Sequence, residues 1–256
     1  MAGRQMTDHA QTFAPTKRLY LIDYARGWAI IAMAIFHFTW DLEFFGFVEP
    51  GLTSTFEWKT FARCIASSFL FLAGISLILG HNPVVRVKSF ISRMIWLIGA
   101  AAVISAATFY AMPNAPIFFG ILHSIAAASV IGLLLRKLPP VLLVLLAVLV
   151  FFAPFYLRSE MFDIPLLWWV GLNANIPRSN DYVPLLPWLA PFLIGMAVAK
   201  HSKTKGLFEK LRDRQSPPRH IFSKALSFAG RHSLATYLLH QPILLGLVWL
   251  AAQILN

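Results

Sequence analysis

Cysteine occurs once, at Cys64, which excludes an internal disulfide and any cysteine-cluster metal site. Charge is also scarce: 13% of the 256 residues are Asp, Glu, Lys or Arg, against roughly 25% in an ordinary soluble domain. No polar stretch is long enough to form a separate soluble domain, because apolar runs extend from Leu19 to Leu255. The first eighteen residues lack the apolar core and small-residue cleavage site of a signal peptide, so the first helix is expected to stay as an anchor. There is no repeat at a fixed period and no pair of broken helices in matching halves, which argues against a carrier built from inverted repeats.

What the chain has in abundance is hydrophobicity. Apolar residues make up 58% of it and the mean hydropathy is +0.66, the composition of a polytopic membrane protein. Seven stretches are long and apolar enough to span about 30 Å of hydrocarbon: Leu19–Trp40, Phe61–Gly80, Phe90–Met112, Ile117–Leu135, Pro140–Leu157, Val183–Ala199 and His232–Ala252. The expected fold is therefore all-α, a transmembrane bundle of about seven spans. Met161–Val170, with Trp168 and Trp169, is too short to cross and reads as an interfacial or re-entrant piece.

The formal charge of +11 would suit a nucleic-acid binder, but the distribution of the charge excludes that reading. Seventeen of the 22 Lys and Arg fall in alternate connections, at the N-terminus, around Arg86–Arg93, at Arg136 and Lys137, and from Lys200 to Arg231. The other connections hold only Lys59, Arg63, Arg158 and Arg178, beside seven of the eleven acids. Basic residues mark cytoplasmic loops. Residues 1–18 are thus expected to be a polar cytoplasmic segment, 19–256 a single transmembrane domain with a basic cytoplasmic loop at 200–231, and Asn256 to lie outside.

Within this apolar chain, Leu19–Asp41 carries four ionisable residues on one stripe. At about 100° per residue, with Asp23 at zero, Arg26 falls near 300°, His37 near 320° and Asp41 back near zero. A lipid-facing charge costs at least about 2.5–3.5 kcal/mol, so such residues normally face a bundle interior and mark function. The simpler alternative is an interfacial Asp23–Arg26 ion pair with His37 as a helix contact. One turn separates His37 from Asp41, close enough for the carboxylate to bond one ring nitrogen and leave the other as a base. His123 and His240 also fall inside spans, while Arg93 and Arg231 begin spans at the basic side. The three histidines have no spacing that fixes a zinc site, so no metal is expected.

The segment Arg18-Leu-Tyr-Leu-Ile-Asp23-Tyr-Ala-Arg26-Gly27, leading to His37 and Asp41, resembles the opening of the heparan-α-glucosaminide N-acetyltransferase catalytic-domain family. Further matches are Phe69-Leu-Phe-Leu-Ala-Gly74, Phe119-Gly-Ile-Leu-His123, Asp181-Tyr-Val-Pro-Leu-Leu-Pro-Trp188 and Gly230-Arg-His-Ser-Leu-Ala-Thr-Tyr237-Leu-Leu-His240-Gln-Pro242. The chain looks like a short bacterial member of the wider transmembrane acyltransferase group. The resemblance implies an inner-membrane enzyme that passes an acetyl group from cytosolic acetyl-CoA to a sugar or amine acceptor on the far side. Acyl transfer needs a base and oxyanion donors. His37 oriented by Asp41 suits the first role and His123 or His240 the second, with Arg26, Arg93 and Arg231 suited to CoA phosphates. The expected partners are acetyl-CoA, the acceptor and the lipid bilayer; association of copies into a homo-oligomer is left open. A rival reading is a proton-coupled carrier or channel, with Asp23, Arg26, His37 and His240 as its relay.

Overall fold

The computed structural model describes residues 18–255; Arg4 and Lys17, two of the three basic residues counted at the N-terminus, and Asn256, expected on the other side, lie outside them. The described residues form helices α1 (Tyr20–Phe44), α2 (Phe56–His81), α3 (Val87–Ala111), α4 (Ile121–Leu135), α5 (Pro140–Leu157), α6 (Leu185–Thr204), α7 (Leu207–Arg214), α8 (Ile221–Arg231) and α9 (Ser233–Leu255). Six of these, α1, α2, α3, α5, α6 and α9, are long and apolar enough to cross a membrane, which makes this an integral membrane protein.

Proline sets several of the boundaries. Asn82 ends α2 in extended geometry (φ −127°, ψ 126°) because Pro83 crowds its backbone out of the helical region. Leu186 breaks the first turn of α6 (φ −105°, ψ 125°) for the same reason, with Pro187 next. Pro140 opens α5 at a position where the missing N–H costs nothing.

The hub of the bundle is α6, which packs against α2, α4 and α5. Helices gain little hydrophobic drive against each other in lipid and rely on close van der Waals approach. Glycines supply that approach between α2 and α6: a Cβ on Gly74 would lie 2.1 Å from the Phe192 carbonyl oxygen, and one on Gly195 would lie 2.1 Å from that of Phe71. Around this crossing sit Leu70, Leu77, Phe192, Leu193 and Met196, all fully buried.

The seventh expected span differs from the other six. Helix α4 has fifteen residues, about 22 Å at 1.5 Å per residue, and starts at Ile121 rather than Ile117. Phe119 and Tyr182 form a short parallel bridge, with the Val183 N–H donating to the Phe119 carbonyl at 3.0 Å, which holds residues 117–120 out of helical geometry. Both ends of α4 match those of α6. The Ile121 N–H meets Asp181 just before α6 at 2.9 Å, and Lys200 near the end of α6 donates to the carbonyls of Arg136 (2.8 Å) and Leu138 beyond α4. Lys203 reaches the Asn82 carbonyl at 2.6 Å, so α2, α4 and α6 all end at one face, rich in Lys and Arg. At the opposite face the Glu43 carboxylate accepts the N–H groups of Gly51 and Thr53, each at 2.7 Å. Trp168 and Tyr182 tie the short turns Glu160–Phe162 and Pro165–Val170 into a cap there.

The basic segment 200–231 is largely helical. It contains the end of α6, then α7 and α8. Helix α8 lies across α1, with Leu226 against Gly27 and Gly230 against the Asp23 backbone, and a break at His232 separates it from α9. Basic residues spaced through this segment obscure its helical pattern, because in α7 and α8 only Phe208, Leu226, Ser227 and Gly230 are buried.

Candidate active site

The His37–Asp41 end of the stripe on α1 faces α9, and there the polar residues of the two helices interlock. His37 Nδ1 stands 2.7 Å from Gln241 Oε1 and 3.2 Å from His240 Nε2, with the two imidazole centroids 4.8 Å apart. His240 Nδ1 lies 2.5 Å from the Tyr237 carbonyl oxygen, which can only accept. That nitrogen therefore carries the hydrogen, and His240 Nε2 presents a lone pair. With two acceptors aimed at it, His37 Nδ1 is the protonated nitrogen and His37 Nε2 keeps its lone pair, an assignment made from the hydrogen-bond partners.

Behind Gln241 lies the carboxylate. Gln241 Nε2 donates to Asp41 Oδ1 at 2.8 Å, which fixes the amide with its oxygen toward His37. Asp41 is completely buried, and its Oδ2 has no partner among the described residues. The expected direct bond from Asp41 to His37 is not formed. Residues four apart on a helix leave a gap of about 5–6 Å between Cβ atoms, and the side chain of Gln241 fills it from the neighbouring helix.

His37 and Gln241 line a cavity of about 330 Å³. Its walls come from α1, α2, the end of α3, the start of α4, the segment before α6, and α9, at the face opposite the Lys- and Arg-rich one. Phe36, Trp40, Phe69, Trp188 and Tyr237 make it largely aromatic, and Arg63 and Asp181 bring charge.

The basic end is built differently. Arg26 donates to the Ser76 hydroxyl on α2. Asp23 does not pair with it: Asp23 binds Arg18 at 2.5 Å, the single ion pair among the described residues. Arg93 on α3 lies within Coulomb reach of Arg26, and neither guanidinium has a carboxylate partner among the described residues. Arg231 is exposed at the end of α8, rather than opening the last span.

His123 stands apart from His37. Its Nδ1 accepts the Gly120 N–H at 3.2 Å and its Nε2 lies 3.4 Å from Ser105 Oγ, so it caps the start of α4 and lines a separate cavity between α3 and α4. His240 spends Nδ1 on a carbonyl and turns Nε2 to His37. Neither offers a hydrogen to the main cavity, which Arg63 and Tyr237, both carrying donors, line instead.

Residues 18–242 match the family model described as heparan-alpha-glucosaminide N-acetyltransferase, catalytic. The chain belongs to that family. It is a family of membrane acetyltransferases. No curated protein and no solved structure matches the chain. In this acetyltransferase family member the matched span runs from the Arg18–Asp23 pair through the first residues of α9, and so takes in His37, Asp41, Gln241 and the whole cavity lining. Gln241 was the residue hardest to foresee. Its one signal in the sequence is an amide beside His240 in the middle of an apolar helix.

Proposed function

We propose that this protein transfers an acetyl group from acetyl-CoA, held at the Lys- and Arg-rich face, to an amine or hydroxyl of a sugar-type acceptor in the aromatic cavity at the opposite face. The observation that carries this reading is His37, with Nδ1 committed to Gln241 and His240 and Nε2 free beside a cavity. That is the geometry of a general base.

In the reaction the acceptor nitrogen or oxygen attacks the thioester carbonyl while His37 Nε2 takes its proton. The new C–N or C–O bond forms, the C–S bond breaks, and the proton passes from His37 to the departing thiolate. Imidazolium formation on His37 is supported by the Gln241 amide oxygen, itself polarised by Asp41. Arg63 and the Tyr237 hydroxyl are the donors available to the oxyanion.

Arg26 and Arg93 fit the donor's phosphates because buried or half-buried cations without a carboxylate partner are stabilised by an anion. Arg26 precedes His37 by eleven residues, about 16 Å along the helix axis, a separation that an extended pantetheine arm can bridge. We place the Lys- and Arg-rich face in the cytoplasm of a bacterial cell, with α4 as a seventh crossing parallel to α6 in the inner membrane. A carrier would instead need a continuous relay from Asp23 to His240, and Asp23 is engaged by Arg18.

The test is incubation of the purified protein with labelled acetyl-CoA and a panel of amines and sugars. Acetylated product with stoichiometric free CoA is expected, and both are lost in His37→Ala. Normal turnover by His37→Ala, or no product from any acceptor, contradicts the reading.

A further inference from the structure

The cavity beside His37 contains one carboxylate that the transfer chemistry leaves unused. Asp181 sits in the segment before α6, half-buried, and its Oδ2 accepts the Ile121 N–H at 2.9 Å. This N–H is one of the unpaired donors at the start of α4, where an anion is favoured by the helix dipole. The fit is close: a Cβ on Gly120 would fall 2.2 Å from that oxygen. The carboxylate is therefore seated against the backbone at the start of α4, in space that a side chain at position 120 would fill.

Its neighbours in the cavity are mostly occupied. The Tyr182 hydroxyl lies 2.6 Å from the Trp168 carbonyl and 2.7 Å from Asn173 Oδ1. Asn180 turns its amide to Met112, and Thr108 accepts the Ile117 N–H at 3.0 Å. Asp181 Oδ1, His37 Nε2, the Tyr237 hydroxyl and Arg63 remain without protein hydrogen-bond partners among the described residues. Arg63 is exposed and makes no ion pair with Asp181, so no cation among the described residues is paired with that carboxylate.

Resting on the transfer reading above, we infer that Asp181 binds the acceptor. It accepts a hydrogen bond from a hydroxyl or amino group next to the reacting one, sets that neighbour against His37, and selects acceptors with no anionic group on the reacting unit. The aromatic walls at Trp40 and Trp188 suit the apolar face of a sugar ring, and a single ring fits about 330 Å³. A phosphate or carboxylate on that ring would meet Asp181 as a like charge.

The experiment compares glucosamine with glucosamine 6-phosphate, in the wild type and in Asp181→Asn, which keeps an oxygen for the Ile121 N–H. Binding is read by quenching of tryptophan fluorescence, which needs no turnover, and transfer is read from labelled acetyl-CoA. The wild type is expected to favour glucosamine at least tenfold. Asp181→Asn is expected to weaken glucosamine binding about tenfold, to bring the two probes within about threefold of each other, and to leave the acetyl-CoA KM unchanged. Equal probe preference in both proteins, or no glucosamine binding by the wild type, overturns the inference. If His37→Ala still abolishes transfer to another acceptor in that case, the transfer reading stands without it. If Asp181→Asn also loses stabilisation by acetyl-CoA, Asp181 holds α4 and α6 together rather than selecting the acceptor, which likewise overturns the inference.

Discussion

The two ends of the polar stripe on α1 are finished in opposite ways. At the cavity end the chain supplies its own partners: His37, His240, Gln241 and Asp41 form one hydrogen-bonded cluster shared between α1 and α9. At the basic end Arg26 has only a hydroxyl and Arg93 faces another cation. Both arrangements are costly in an apolar surrounding unless something repays them. A cluster linked by hydrogen bonds within the chain orients a reactive atom, whereas cations left without counter-ions suit an anion that arrives from outside. In the proposed reaction this contrast divides the labour along a single helix, with chemistry at one end and donor binding at the other.

The largest effect separating the ends belongs to His37. His37→Ala should lower turnover by about 10²–10⁴-fold, the range of a lost general base, with the acetyl-CoA KM changed little. An equal loss in kcat and in donor affinity would erase the distinction between the ends.

Next comes the bridge. Gln241→Leu should lower turnover by about 10²-fold, because it removes the acceptor that holds His37 in its reactive tautomer and leaves Asp41 buried without its donor. Asp41→Asn should cost about tenfold, since an asparagine oxygen can still receive the Gln241 amide while the charge behind it is gone. Steady-state rates at saturating donor check both. Larger damage from Asp41→Asn than from Gln241→Leu would mean that Asp41 acts on the substrate directly.

The basic end should respond in KM. Arg26→Ala or Arg93→Ala is expected to raise the acetyl-CoA KM by about 10–100-fold, the equivalent of about 1.5–3 kcal/mol for a hydrogen bond to a charged group, with kcat within about threefold of normal. A donor lacking the 3′-phosphate would show which arginine reads that group.

The smallest effect concerns pH. Burial pushes the Asp181 carboxyl up to about 6, so it is ionised above that value and protonates as pH falls through it. The acceptor KM should rise severalfold between about pH 7 and pH 5, and the rise should disappear in Asp181→Asn. Tyr182, pushed up to about 12 by burial, stays neutral, and His37 affects turnover instead. A wild-type acceptor KM that stays flat across this range would remove Asp181 from acceptor binding.

Much of this organisation was legible in the sequence because its cause is local. Hydropathy located the six long helices, and the alternation of basic residues matches the gathering of the ends of α2, α4 and α6 at one face. The 100° periodicity placed Arg26, His37 and Asp41 on one stripe, and they do face the bundle. What escaped was whatever depends on a second helix. Gln241 enters between His37 and Asp41 from 200 residues away, and no spacing on α1 could reveal it. His123 looked equivalent to His240, yet the Phe119–Tyr182 bridge turns it toward Ser105 and away from the cavity. The helices of 200–231 were hidden by their charges, since a helix that buries a narrow face among lysines and arginines has low mean hydropathy whatever its period.

The division of labour along α1 is tested most directly by thermal stability with and without saturating acetyl-CoA, measured on the detergent-solubilised wild type, His37→Ala and Arg26→Ala. Bound ligand raises apparent stability by mass action. The wild type and His37→Ala should be protected to the same extent, and Arg26→Ala should lose most of the protection. Protection that disappears in His37→Ala but survives in Arg26→Ala, or that is absent from the wild type, would contradict the account.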